Sequence, residues 1–283
     1  METFACFTDW FEGRRGEADA VVLDIDGVLM CGGEALPGAA RLMQALRAAA
    51  CPFSLLTNDA HHSHAEKARW LAGAGLDARE GEILSCADGL VDLCAERGLA
   101  GRRFFLAGNL GTPCYARLAG LEVTREPAEL GACAGVILGE ENYDWELAIN
   151  AAVNFFLAKP GGLLVVPNPD VAFRAADARI RLASGAPAQL IQYALGVCGV
   201  KIEPIWLGKP YPPIFARNHR VLESTAGRRL DPGRVLMLGD SLTSDVCGSR
   251  GFGYRSALVM TGVTRHDMLA ASPVLPDLVF ERL

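Results

Sequence analysis

The chain has 283 residues, 51% of them apolar and 21% charged, a balance that suits a soluble globular protein with a substantial core and allows one large domain or two ordinary ones. Its 27 basic and 33 acidic residues leave a formal charge of -6; no long basic run occurs, so a nucleic-acid groove is not expected. No run of about 18 apolar, uncharged residues is present to span a bilayer. The first twenty residues, "METFACFTDWFEGRRGEADA", lack a basic leader followed by an apolar stretch, so they do not read as a secretory signal. Phe4, Phe7, Trp10 and Phe11 recur at helical spacing and predict a short helix docked on the body.

Next, "AVVLDI" reads as a strand, "GAARLMQALRAAA" after Pro37 as a helix and "FSLLT" as a second strand. In the helix "SHAEKARWLAGAG", Ser63 and Glu66 have capping-box spacing, and Gly73 or Gly75 can end it. Between about residues 86 and 187, "RRFFLAG", "LEV" and "AGVILG" read as strands, "DWELAINAAVNFFLA" as a helix and "GLLVVPN" as a further strand. This stretch is large enough to be an α/β unit of its own. "RVLMLG" and "SALVM" follow as strands. Such alternation predicts an α/β fold, a doubly wound parallel-sheet core with a smaller inserted α/β unit. The expected division is 1–85 and 188–283 for the core and 86–187 for the insertion. Nine cysteines are scattered with no Cys-x-x-Cys pair; they read as small core residues, and a cytoplasmic, reducing setting is the simplest.

Four apolar strands stop at polar residues: "VVLDIDG", "SLLTN", "IWLGKP" and "VLMLGDSLTSD". Ligands of open α/β sheets sit outside the carboxyl ends of strands, so Asp24, Asp26, Thr57, Asn58, Lys209, Asp240 and Asp245 are expected at one edge. On a strand, Asp24 and Asp26 would point the same way, about 7 Å apart, and would repel unless a cation lay between them. Clustered carboxylates suit a hard divalent cation such as Mg²⁺. A lysine and a threonine hydroxyl beside it can hold phosphate oxygens, and an aspartate can accept a phosphoryl group. Alone, "DIDG" reads equally as an Asx turn, "LLTN" reads as a strand end, "GKP" as a turn with a solvated lysine and "GDSLTSD" as a helix cap; the functional reading rests on the set.

With "DIDGVL", "LLTN", "GKPYPPIF" and "GDSLTSD" in this order, the chain resembles the haloacid dehalogenase (HAD) superfamily phosphatases of class IIA. These carry a type-two α/β cap on a Rossmann-like core and include nucleotide, sugar-phosphate and 4-nitrophenyl phosphate phosphatases. The insertion would be the cap, and its "VVPNPD" resembles the "TNPD" element of such caps. The resemblance implies a Mg²⁺-dependent phosphomonoester hydrolase acting on a small phosphorylated metabolite through an aspartyl-phosphate. Asp24 would be nucleophile and metal ligand. Asp26 would be general acid, then base, and would bind the metal through its backbone carbonyl. Thr57 and Lys209 would hold the phosphate with the Asn58 N–H. Asp240 would ligate the metal, and Asp245 would support its water shell.

Two departures bear on substrate choice: Pro167-Asn168-Pro169 stands in place of Thr-Asn-Pro, and "DAHHSHAEKARW" follows "LLTN" where relatives often have further Asn and Ser residues. Asn168, Asp170, His61 and His62 are the candidates for substrate specificity. For Asn168 and Asp170, as for Tyr143 and Asp144, a turn or helix-cap role accounts for the residue equally well. His61 and His64 share helical spacing, but imidazole suits zinc or copper better than Mg²⁺, and a solvated loop and helix start explains them. A phosphotransferase using the same intermediate and a non-catalytic phospho-ligand-binding protein stay open as alternatives; retention of both Asp24 and Asp26 argues against the second. Expected partners are the metabolite alone, with neither nucleic acid nor membrane, and a homo-oligomer is compatible.

Overall fold

The structure, a computed structural model, describes residues 1–141, 143–174 and 179–283. Its two main sheets use β1 (Glu2–Cys6), β2 (Ala20–Leu23), β3 (Phe53–Thr57), β4 (Ile83–Ser85), β5 (Arg103–Ala107), β6 (Glu122–Thr124), β7 (Gly135–Leu138), β8 (Leu163–Val166), β9 (Ile205–Trp206), β10 (Val235–Gly239), β11 (Arg255–Val259) and β12 (Leu278–Arg282). The principal helices are α1 (Phe7–Gly13), α2 (Ala39–Ala48), α3 (His64–Gly73), α4 (Gly89–Arg97), α5 (Trp145–Ala158), α6 (Gly185–Val197), α7 (Pro212–Ala226), α8 (Cys247–Phe252) and α9 (His266–Ala271). Among the described residues no helix is long and apolar enough to cross a membrane.

The chain divides into two compact units, one of Met1–Thr57, His64–Leu84 and Lys209–Leu283, the other of Asn58–Ser63 and Ser85–Gly208. The first holds a seven-stranded sheet in the order β1-β12-β11-β10-β2-β3-β4. From β1 to β3 every pairing is parallel. β2, β3 and β10 are buried along their whole length, as near-continuous apolar strands of a covered parallel sheet must be. The chain leaves β2 toward β3 on one side, while β10 pairs on the other. The strand order therefore switches between β2 and β10, where such sheets open a crevice.

The N-terminal segment departs from the single helix its spacing predicts. Phe4 lies in β1, paired with Phe280 of β12, and only Phe7, Trp10 and Phe11 belong to α1, all buried. The exposed backbone groups of an edge strand favour such pairing over a helix. Phe280 binds the two pieces together, stacking on Phe4 at 5.6 Å and meeting Phe7 edge-on at 5.0 Å.

The second unit holds a five-stranded sheet in the order β9-β8-β7-β5-β6, parallel at every pairing. Its core gathers Val136, Phe156, Val166, Ile191 and Leu195. Residues 188–208, read from sequence as the start of the returning core segment, join this unit. Ile191 and Leu195 of α6 are buried in its core, and β9 pairs with β8 through Val165–Ile205 and Val166–Trp206. The return to the first unit comes at Lys209.

Candidate active site

β2 and β10 are neighbours with Leu23 opposite Leu238, so Asp24 and Asp240 leave the sheet almost side by side. The Asp24 N–H still donates to Leu238 O at 2.9 Å. Asp24, Asp240 and Asp245 are buried, and one carboxylate oxygen of each lies within 4.8 Å of the others. Lys209 Nζ donates to Asp24 Oδ1 at 2.7 Å and to Leu56 O at 3.1 Å. It also pairs with Asp245 Oδ1 at 2.8 Å. Ile25 N adds a hydrogen bond to Asp24 Oδ1 at 2.8 Å.

Asp245 is placed by the turn after β10. Its Oδ2 accepts from the N–H groups of Asp240 and Ser241 at 3.2 and 3.1 Å. Gly239 makes this approach possible: a Cβ there would lie 2.2 Å from Asp245 Cγ. Asp240 Oδ2 accepts from Val263 N at 2.7 Å.

Charge does not balance in this cluster. Burial pushes the Asp24 carboxyl well above its ordinary value; Lys209 opposes this, while Asp245 and Asp240 add to it, and the rise prevails. Burial, then the Asp245 charge, pushes Asp240 up to about 7. Burial alone would lower Lys209, but Asp24 and Asp245 hold it above its usual range and therefore charged. Among the described residues, three carboxylates thus share one ammonium, a deficit that a divalent cation would offset. Oxygen-only donors of this kind suit Mg²⁺ or a similar hard ion.

Asp26 is not the twin of Asp24 that strand alternation predicts. β2 ends at Leu23, so the chain is already turning and the period-two rule has lapsed. Asp24 is buried and Asp26 exposed. Gly27, at φ +78°, takes the left-handed conformation that a side chain resists. Its N–H donates to Met30 O at 2.7 Å.

Thr57 closes β3 in the first unit, whereas Asn58, His61 and His62 belong to the second. There Asn58 Nδ2 donates to Asp170 Oδ2 at 3.1 Å, and Asp170 N donates to Asn168 Oδ1 at 2.9 Å. Glu140, a residue the sequence reading passed over, is buried and accepts at Oε1 from Ala60 N at 3.2 Å and Asn168 Nδ2 at 2.8 Å. Asp59 Oδ1 accepts from the His61 and His62 N–H groups at 2.7 and 3.1 Å, and His62 Nδ1 lies 2.9 Å from Asp59 Oδ2. His61 Nδ1 is buried without a hydrogen-bond partner. The segment after β11, Thr261–Thr264, was also missed. Its signal was present, because "SALVMTGVT" repeats the pattern of an apolar strand stopping at polar residues.

Comparison with known proteins gives the family. Residues 21–122 match the haloacid dehalogenase-like hydrolases, and residues 206–283 match a second, HAD-hydrolase-like family. The chain belongs to the haloacid dehalogenase-like hydrolases and, within them, to the class IIA phosphatases, hydrolases of phosphoric monoesters. It is 29% identical over 261 residues to a dihydroxyacetone phosphatase of Corynebacterium glutamicum, covering 92% of this chain and 87% of that protein. NagD from Escherichia coli K-12 superposes with a TM-score of 0.75 at 25% identity, over 94% of this chain and 96% of its own. A glycerol phosphate phosphatase from Mycobacterium tuberculosis, solved in complex with magnesium, has the same fold: TM-score 0.75 and 24% identity, over 93% of this chain and 74% of that one.

Proposed function

We propose that the chain hydrolyses a small phosphorylated metabolite through an aspartyl-phosphate on Asp24, with Mg²⁺ held by Asp24, Asp240 and the backbone carbonyl of Asp26. The observation that carries this reading is the buried Asp24–Asp240–Asp245 cluster with the Lys209 ammonium paired to it. Asp245 would support the water shell of such an ion. Bound there, Mg²⁺ supplies neutralisation of the phosphate-oxygen charge.

Asp24 is oriented by two donors at Oδ1. One of its carboxylate oxygens attacks phosphorus as the P–O bond to the leaving alcohol breaks. Asp26, exposed beyond the strand, gives its proton to the leaving oxygen. It then takes a proton from water, whose oxygen attacks phosphorus and releases inorganic phosphate and free Asp24. Lys209, the Thr57 hydroxyl and the Asn58 N–H hold the phosphate oxygens. Asp24 locked to Lys209 and Asp26 outside that lock give two aspartates two different tasks.

The dihydroxyacetone phosphatase among the relatives supports a small phosphorylated substrate. Among the specificity candidates, Asn168, Asp170 and His62 have partners within their own unit. We retain His61, whose Nδ1 has none. All the cysteines are free, which supports a reducing, cytoplasmic setting.

The test is turnover of 4-nitrophenyl phosphate with Mg²⁺, with chelator, and in Asp24→Asn. Chelation and the substitution should each lower the rate on the order of 10³-fold or more. Metal-independent turnover, or full activity in Asp24→Asn, would sink the mechanism.

A further inference from the structure

The segment after β11 is tied to Asp240 and to the turn that follows Asp26. Thr261 Oγ1 donates to Gly27 O at 2.7 Å, one residue past Asp26. Val263 N donates to Asp240 Oδ2 at 2.7 Å, and Thr264 N donates to Asp240 O at 3.2 Å. Between these bonds the Asp240 carboxylate lies in a cleft that only glycine leaves open. A Cβ on Gly262 would stand 1.8 Å from Asp240 Oδ2, and one on Gly27 would stand 2.2 Å from the same atom. The Gly27 Cβ would also come within 3.1 Å of Gly262 Cα, so the two backbones are in close approach around a single oxygen.

A carboxylate that offers one oxygen to a metal is commonly fixed through the other, and the partner that fixes it sets metal affinity without touching the ion. Here Oδ2 accepts from the Val263 amide inside the glycine cleft, which fixes the rotation of the Asp240 carboxylate. Thr261 anchors the turn that carries the Asp26 carbonyl, so one short segment governs two of the ligands proposed above.

We propose that Thr261–Thr264 is the positioning element of the cation site: through Val263 and Gly262 it sets the Asp240 carboxylate, through Thr261 it sets the Asp26–Gly27 turn, and together these determine the affinity for Mg²⁺. The proposal rests on the cation centre of the preceding section. Their contacts are to Gly27 O and to Asp240, so an effect exerted through those ligands must appear in metal binding before it appears in turnover.

The experiment is titration of metal-free protein with Mg²⁺ alone, followed by calorimetry and by the metal-induced rise in melting temperature. Thr261→Val, Thr261→Ser, Gly262→Ala and Asp240→Asn are compared with wild type. Thr261→Val should weaken Mg²⁺ binding on the order of tenfold, and Thr261→Ser, which keeps the hydroxyl, should restore it. Gly262→Ala should weaken binding at least as much; should it fail to fold, the Thr261 pair decides. At saturating Mg²⁺ the KM for 4-nitrophenyl phosphate should stay at the wild-type value in Thr261→Val. A purely structural role would lower the melting temperature in chelator and leave Mg²⁺ affinity untouched, and that result overturns the proposal. So does weakening that serine fails to restore. Wild-type Mg²⁺ affinity in Asp240→Asn would instead overturn the cation centre itself. Loss of binding there, with Thr261→Val unaffected, removes only the positioning role.

Discussion

Lys209 is 2% exposed and stands between Asp24 and Asp245 at 2.7 and 2.8 Å. Its work is partly structural: it holds buried carboxylates apart and keeps Asp24 in one orientation. Removing one member of a buried ion pair leaves the other charge unpaired, at a cost of about 3–5 kcal/mol. Lys209→Met should lose that much stability in urea unfolding with chelator present, with an unchanged m-value, and should lose phosphatase activity. Added Mg²⁺ should recover part of the stability, because it supplies counter-charge to the same cluster. A loss under about 1 kcal/mol would mean that the carboxylates are already neutral. Arginine should not rescue the variant: its planar fork needs more room than a compact ammonium. The sequence pointed to Lys209 for its chemistry but misassigned its support. "IWLGKP" looked like a core strand ending in a lysine, yet Ile205 and Trp206 pair in the second sheet. Two residues, Leu207 and Gly208, then lead to Lys209 in the other unit, and no local pattern encodes which sheet two residues will join.

At the scale of elements, strands with strong one-dimensional signals were legible. β2, β3 and β10 are fully buried apolar runs that end in polar residues, and burial on both faces makes that pattern local. β1 was not legible, because a strand beside an existing sheet edge is chosen by its neighbour, here β12, rather than by its own periodicity. The end of β12 shows how such an edge is secured. Asp277 Oδ2 accepts from the Ser256 N–H and hydroxyl at 2.8 and 2.9 Å, and Arg250 donates to Oδ1 at 2.6 Å. The Asp277 carbonyl receives the Glu2 N–H at 3.0 Å. One residue therefore links β1, β11 and β12 with α8. Burial alone would raise the Asp277 carboxyl, but the Ser256 and Arg250 donors hold it below its ordinary value. A depressed folded pKa means the stabilisation is present above the unfolded value of about 3.9 and is lost as pH falls through the folded one. Asp277→Asn should therefore cost about 1 kcal/mol at pH 7, a figure kept small because the carboxylate is partly solvated. Its urea midpoint should begin to approach that of wild type below about pH 4 and meet it once pH has fallen past the folded pKa. A gap that persisted in acid would assign the effect to packing instead of charge.

For the whole molecule, the chain passes between the two units after Thr57, Ser63, Leu84 and Gly208, yet each unit keeps a core of its own. Leu23, Leu55 and Leu238 lie in one, and Val136, Phe156 and Ile191 in the other. Every side chain of the aspartate cluster belongs to the first unit. The cation should therefore stabilise that unit by mass action and leave the second unit's own opening unchanged. At a Mg²⁺ concentration one hundred times its Kd the gain is about 2.7 kcal/mol, or about hundredfold slower exchange for amides that open only when the first unit unfolds. Hydrogen–deuterium exchange with and without Mg²⁺ reads this strand by strand. Amides of β2 and β10 should slow by that order, while those of β7 and β8 keep their rates. Equal slowing in β7 and β8 would mean that the units unfold as one cooperative body despite their separate cores. No slowing in β2 and β10 would place the cation elsewhere in the chain.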